Sequence, residues 1–273
     1  MDPTTLVGLL LGWGALVGAM LLDHMSPTAF FNLPGLVLVV GGTAGATIAS
    51  FMRAQSAAAV SILKQTFAPQ ADMGATIGRM VELAGIATRQ GILALDKLLE
   101  DVEDPFVRRA LQLVIDGTPT EDVRRVLEEE YALVEERHRA GERMFSTAAG
   151  FAPTLGIIGT VVGLINMLRT LSNPSGIGPA IATAFLATLY GVSLANLFLL
   201  PVANKLRARH EHEMLVKRIV VQGAVGIASK TLPRLLREQL VTYLPPAERK
   251  AVLEALARSA PEAGREPTEA TAS

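Results

Sequence analysis

Two apolar runs separated by a short polar break dominate residues 147–201. They read TAAGFAPTLGIIGTVVGLINML, then RTLSNPSG, then IGPAIATAFLATLYGVSLANLFLLP. A helix needs about 20 apolar residues to cross the hydrocarbon core of a bilayer, and each run is long enough to do so. Both are crowded with Gly, Ala, Ser and Thr, residues that let helix backbones approach closely in lipid. They read as packing surfaces rather than greasy anchors.

Two further apolar runs lie near the N-terminus. Leu6 to Leu22 carries Gly8, Gly12, Gly14 and Gly18, and Pro34 to Met52 carries Gly41, Gly42 and Gly45. The opening MDPTTLVGLL lacks the basic region and small-residue cleavage site of a secretory signal, so the first run is expected to stay in the mature chain. Composition agrees: half of the 273 residues are hydrophobic and only 19% are charged, which favours a membrane protein over a soluble enzyme. A net charge of −1 gives no nucleic-acid footprint. The absence of cysteine excludes disulfides, thiolate metal sites and a Cys nucleophile.

The expected fold class is therefore all-α, a polytopic membrane protein with four transmembrane helices and a helical cytoplasmic domain. Residues 1–52 would hold the first two spans with a short external turn, and 147–202 the third and fourth. Residues 53–146 form a soluble helical loop, with charge in nearly every turn. Within it Met73, Ile77, Met80, Val81 and Ala84 recur at helical spacing. Short helices are expected at ILALDKLLEDV and PFVRRALQLVID, the latter ended by Gly117. Thr118-Pro119-Thr120-Glu121 has the arrangement of a capping box, opening a long helix that runs towards or into the third span. Residues 203–260 read as a helical tail beginning after Asn204, and residues 261–273, which lack a core-forming pattern, as disordered. Ser56 to Phe67 reads as one more helix. Arg53, Lys64, Arg137, Arg139, Arg143, Lys205, Arg207 and Arg209 flank the spans on one side and Arg169 alone on the other. By the positive-inside rule the loop, the tail and both termini are cytoplasmic.

No phosphate loop, metalloprotease helix or nucleophile elbow is present, since Gly191-Val-Ser193-Leu-Ala195 lacks the final glycine and lies in a span. No enzyme activity and no cofactor are expected. His210 and His212 on a helix point roughly 200° apart and read as part of a solvated charged face. No Asp, Glu, Lys or Arg lies inside any of the four runs. An ion pathway through a membrane normally needs an ionisable group, so a partner would have to bring the carboxylate. Pro153, Gly156, Thr160, Gly163 and Met167 fall on one face of the third run, and Ala184, Thr188, Gly191 and Ala195 form a similar strip on the fourth. Such strips suit a guest helix and a passing cation. They equally suit simple helix packing, with each Thr bonded to its own backbone.

GFAPTLGIIGTVVGLINML and AIATAFLATLYGVSLANLFLLPVANKL resemble the ion-channel region shared by the MotA/PomA flagellar stator proteins and, more distantly, TolQ and ExbB. LPGLVLVVGGTAGATIASF and the N-terminal run resemble the stator branch, which has two spans ahead of the large loop where TolQ and ExbB have one. The resemblance covers roughly Met1 to Leu206. It implies a stator A subunit of the inner membrane, multi-pass, with five copies around two copies of a MotB/PomB-type B subunit whose span carries the ion-binding Asp. Ion flow, of sodium in preference to protons, would drive rotation and torque on the rotor protein FliG. Residue by residue, Pro153 and Pro201 match the family's coupling prolines. Thr160 and Thr188 match hydroxyls of sodium-type members, with no fixed metal but transient Na+ near Thr160. Gly156, Gly163, Ala184, Gly191 and Ala195 would pack against the partner helix. Arg89 and Asp96 match the rotor-contact stretch, with one basic charge missing. Asn32 stands where sodium-type members often carry an acid. Alternatives are a TolQ/ExbB-like proton-driven energiser of an envelope system and, in other classes, a structural membrane scaffold or a solute carrier.

Overall fold

The computed structural model describes residues 3–24, 26–57, 62–63, 70–169 and 174–259. Most of the Ser56 to Phe67 helix expected from sequence, and all of the expected disordered tail, lie outside these residues. Among the described residues every regular element is helical. Four helices are long and apolar enough to cross a membrane, by length and composition.

The first, α1, is Pro3–Leu22. After a 3-10 turn at Pro27–Phe30, α2 covers Leu33–Ser50. Asn32 caps it, its side chain accepting from the Gly35 amide at 2.8 Å, and Pro34 sits in the first turn where its missing N–H costs nothing. The helix widens to a π turn at Val37–Gly41 before resuming at Gly42–Ser50. A five-residue helix, Arg53–Ala57, follows.

α3 is Met73–Gln90, α4 Pro105–Ile115 and α5 Thr120–Arg169. The Asp72 carboxylate caps α3 through the Gly74 and Ala75 amides, and Asp104 caps α4 through Phe106. Between α3 and α4 the expected α-helix is a 3-10 helix, Ile92–Leu98. Gly91, at φ +86 and ψ 159, turns the chain sharply before it, and 3-10 geometry suits so short a piece. α4 ends in a Schellman motif: Gly117 has φ +71, Thr118 N–H bonds to Leu113 O and Gly117 N–H to Val114 O. α5 begins at Thr120, two residues after the Thr118 cap expected from the capping-box pattern, and the Pro119 carbonyl accepts from the Asp122 and Val123 amides.

The last long helix, α6, runs from Pro174–Leu194 through a π turn at Ala195–Leu199 into Leu200–Ala228. The charged tail helix therefore does not start after Asn204 but continues the fourth apolar run. Pro201 explains how: it has no N–H, and its ring crowds the Leu197 carbonyl. The turn before it widens, and the Leu200 amide bonds back to Ala195 O, so the helix passes the proline without breaking. α7, Pro233–Val241, and α8, Pro246–Ser259, close the chain.

The chain divides into two compact units, residues 1–70 with 134–211 and residues 71–133 with 212–273. In the second unit the periodic face of α3 is buried as its spacing predicts, with Ile77, Met80 and Leu83 no more than 1% exposed. Val81 is only half-buried. Leu95, Leu111, Val123, Leu127, Ile219, Leu236 and Leu240 complete this core. Two α6 glycines make room for it: a methyl on Gly223 would lie 2.5 Å from Met80 Cε, and one on Gly226 2.5 Å from Leu236 Cδ1.

The first unit has a core of small residues. Ala148, Ala149 and Ala152 of α5 meet Ala195, Val202 and Ala203 of α6, with Met144, Phe145 and Leu199 at one end. Its remaining apolar surface faces outward: Leu10, Leu11, Ile157, Val161, Val162, Ile165, Leu168 and Phe185 are all exposed, as lipid-facing or partner-facing side chains would be.

Candidate functional site

The two strips expected on the third and fourth apolar runs meet each other. A methyl on Gly163 would lie 2.7 Å from Ala184 Cβ, one on Gly191 2.5 Å from the Ala152 carbonyl oxygen, and one on Gly156 3.0 Å from the Ala187 carbonyl oxygen. Gly159 on α5 likewise faces Ala187, at 2.5 Å, and Leu38 of α2. Removing side chains brings α5 and α6 into backbone contact, and that contact excludes any third helix from between them. Within one chain, Gly156, Gly163, Ala184 and Gly191 thus pack span against span. Ala195, 2% exposed, is buried in the π turn against the α5 alanines.

Thr160 and Thr188 lie in the middle of this contact, both half-buried. The Thr160 hydroxyl reaches the Ala184 carbonyl at 2.9 Å and its own-helix Gly156 carbonyl at 3.2 Å. It also bonds the Thr188 hydroxyl, which lies 3.5 Å from Gly156 O. A Thr hydroxyl has one proton and two lone pairs. With the Thr160 proton on a carbonyl, Thr188 becomes the donor between the two hydroxyls. Two hydroxyls and two carbonyls thus cluster at one level of the helix pair, and neither apolar run contains Asp, Glu, Lys or Arg. With its proton on the backbone and one lone pair accepting from Thr188, Thr160 keeps one lone pair for another donor or a cation.

Pro153 is half-buried within α5. It removes the amide that would bond Ala149 O, one turn before Gly156. Pro201 follows the π turn of α6. Met167, on the α5 face, is half-buried. Arg89, in the last turn of α3, and Asp96, in the 3-10 helix, are exposed on either side of Gly91 in the other unit.

Sequence reasoning missed a second polar group. The Asn32 amide donates to the Thr183 hydroxyl at 3.1 Å, and the Asn32 backbone N–H donates to the Tyr190 hydroxyl at 2.8 Å. Tyr190 in turn donates to the Phe30 carbonyl. These partners lie 151 to 160 residues apart, so no local pattern announces them. The histidines also differ from expectation. His210 is 9% exposed and packs edge-on against His138, ring centroids 5.5 Å apart, while the His212 Nε2 lies 2.7 Å from Ala71 O. A charged sequence around them hid a helix face that is covered.

A family model, described as the MotA/TolQ/ExbB proton channel family, matches residues 99–219. The chain is 41% identical to the uncharacterised protein YtxD of Bacillus subtilis over 79% of both chains. It is 35% identical to the chemotaxis protein PomA of Vibrio alginolyticus, covering 89% of this chain and 96% of that one. Its fold matches the flagellar MotAB stator complex from Bacillus subtilis with a TM-score of 0.85 at 32% identity, over 91% of this chain and 98% of that one. The family model takes in all of α5 and α6 as far as residue 219, and the chain belongs to the MotA/TolQ/ExbB proton channel family.

Proposed function

We propose that this chain is the A subunit of a flagellar stator, converting transmembrane ion flow into rotation together with a one-span MotB/PomB-type subunit. The observation that carries this reading is the match to a MotAB stator complex over 91% of the chain, and the two apolar helices ahead of residue 53 support it. Four membrane crossings would leave both termini in the cytoplasm of the inner membrane, with the basic residues on the inner side. The ionisable group that the apolar helices lack would come from the partner's span.

Because Gly156, Gly163, Ala184 and Gly191 already pack on one another, the partner helix would meet the residues beside them. Ile157, Val161, Leu164 and Leu168 are exposed and fall on one face of α5. The coupling ion would pass the hydroxyl pair. Sodium, a hard cation, takes oxygen ligands, and Thr160 and Thr188 with the carbonyls beside them are an oxygen cluster, which favours sodium over protons. Pro153 and Pro201, each removing a backbone donor in a helix of this unit, would let α5 and α6 flex as the ion passes. Arg89 and Asp96 would engage the rotor protein FliG.

Co-expression with the one-span partner tests the assembly. The expected product is a membrane complex of five copies of this chain and two of the partner, read by native mass spectrometry. A chain that stays monomeric with its partner present overturns the reading.

A further inference from the structure

The contact between α5 and α6 is made largely by glycine and alanine. Such a surface allows close approach, yet it has no large knobs to stop one helix sliding along the other. The axial register that brings Thr160 level with Thr188 therefore leans on directional bonds: those of Thr160 to Ala184 O and Thr188 across the contact, and those of Asn32, Thr183 and Tyr190 from the side of α2.

Asn32 serves both helices at once. Its Oδ1 accepts from the Gly35 amide at 2.8 Å, which fixes the amide orientation and points Nδ2 to the Thr183 hydroxyl. Its backbone N–H donates to the Tyr190 hydroxyl, which donates to Phe30 O. Thr183 and Tyr190 are seven residues apart, about two helical turns, so α6 is held to the head of α2 at two heights. Between them lie Ala184, whose carbonyl receives the Thr160 hydroxyl, and Thr188 itself. The head of α2 leaves no slack: a methyl on buried Gly35 would lie 3.1 Å from Asn32 Oδ1 and 3.4 Å from Tyr190 Cε2. Farther along, α2 meets α5, with Leu155 Cδ2 3.1 Å from the position of a Gly42 methyl and Leu38 against Gly159. α2 thus touches both α5 and α6 and can set one against the other.

We propose that Asn32, Thr183 and Tyr190 are positioning residues, a polar clamp that fixes the register of α6 against α2 and so the spacing of the Thr160–Thr188 pair. Its consequence for ion coupling rests on the stator reading given above.

The test uses the complex with the one-span partner, in stator-null cells and purified. Thr183→Val and Tyr190→Phe each remove one hydroxyl, and Thr183→Ser keeps it. Swimming speed is measured against the coupling ion, sodium at fixed pH or, if the wild type ignores sodium, pH at fixed sodium. Amide exchange is followed over residues 32–35. The expected result is a half-saturating ion concentration raised roughly five-fold, the ratio worth one part-buried hydrogen bond, with maximal speed little changed. Exchange at residues 32–35 rises in both variants, and Thr183→Ser behaves as the wild type. Unchanged half-saturation and exchange in both variants would overturn the clamp. So would failure of all three to accumulate, Thr183→Ser included, because that marks a packing role alone. If the wild type itself drives no motility, the stator reading fails, and exchange at residues 32–35 still decides for or against the clamp.

Discussion

Thr160 offers one proton to three oxygens within reach, the carbonyls of Ala184 and Gly156 and the hydroxyl of Thr188. Its proton belongs to the backbone, and its remaining lone pair is what a cation would use. Thr160→Ala is therefore expected to raise the sodium concentration for half-maximal speed roughly five-fold without reducing recovery of the complex; an unchanged sodium response would remove Thr160 from the pathway. Gly191 gives a structural counterpart. Its Cβ would sit 2.5 Å from the Ala152 carbonyl oxygen, which is backbone and cannot swing aside. Gly191→Ala should cost roughly 1–3 kcal/mol in thermal unfolding of the solubilised protein. Gly178, with nothing within 4 Å of an added methyl, should accept alanine within about 0.5 kcal/mol; equal losses at both positions would contradict the packing described.

At the scale of elements, Gly91 separates α3 from the 3-10 helix with φ +86 and ψ 159, a conformation only glycine adopts readily. Gly91→Ala is expected to destabilise the soluble unit by roughly 1–3 kcal/mol, seen as earlier unfolding and faster proteolysis beside Gln90. Pro201→Ala would restore the donor to Leu197 O and let the π turn tighten. The expected outcome is a complex that assembles but turns weakly; wild-type torque would show that the widened turn has no part in coupling. Much of this architecture was legible in the chain. The spacing of Met73, Ile77, Met80 and Ala84 marked the buried face of α3, because a 3.6-residue period is a local property. The glycines on both long helices read as a surface for a partner helix, whereas within the chain they bring α5 against α6. What could not be read was non-local or countered a local rule. The tail helix reads as starting after Asn204, yet a π turn absorbs Pro201, which would normally break a helix, and the fourth apolar run continues into the tail. Asn32, Thr183 and Tyr190 are individually ordinary polar residues, and only the fold joins them. His210 sits in a charged run, and its burial depends on His138 of another helix.

At the scale of the whole molecule, one unit has a core of Ile77, Leu111 and Leu236, and the other holds the hydroxyl pair that, in the proposed stator, would meet a partner's carboxylate. In the proposed stator, torque would leave through the unit where Arg89 and Asp96 are exposed. Arg89→Glu, at an exposed position in the last turn of α3, should sharply lower stall torque in a tethered-cell assay while recovery of the complex stays at the wild-type level; full torque would separate Arg89 from rotor contact. The most direct measurement of the central claim is the swimming speed of a stator-null strain carrying this chain and its one-span partner, taken across sodium concentrations at fixed pH. Restored motility is expected, with speed rising with sodium to a plateau. Swimming indifferent to sodium would contradict the assignment of Thr160 and Thr188 as sodium ligands. No swimming at any concentration, with both proteins in the membrane, would contradict the stator function itself.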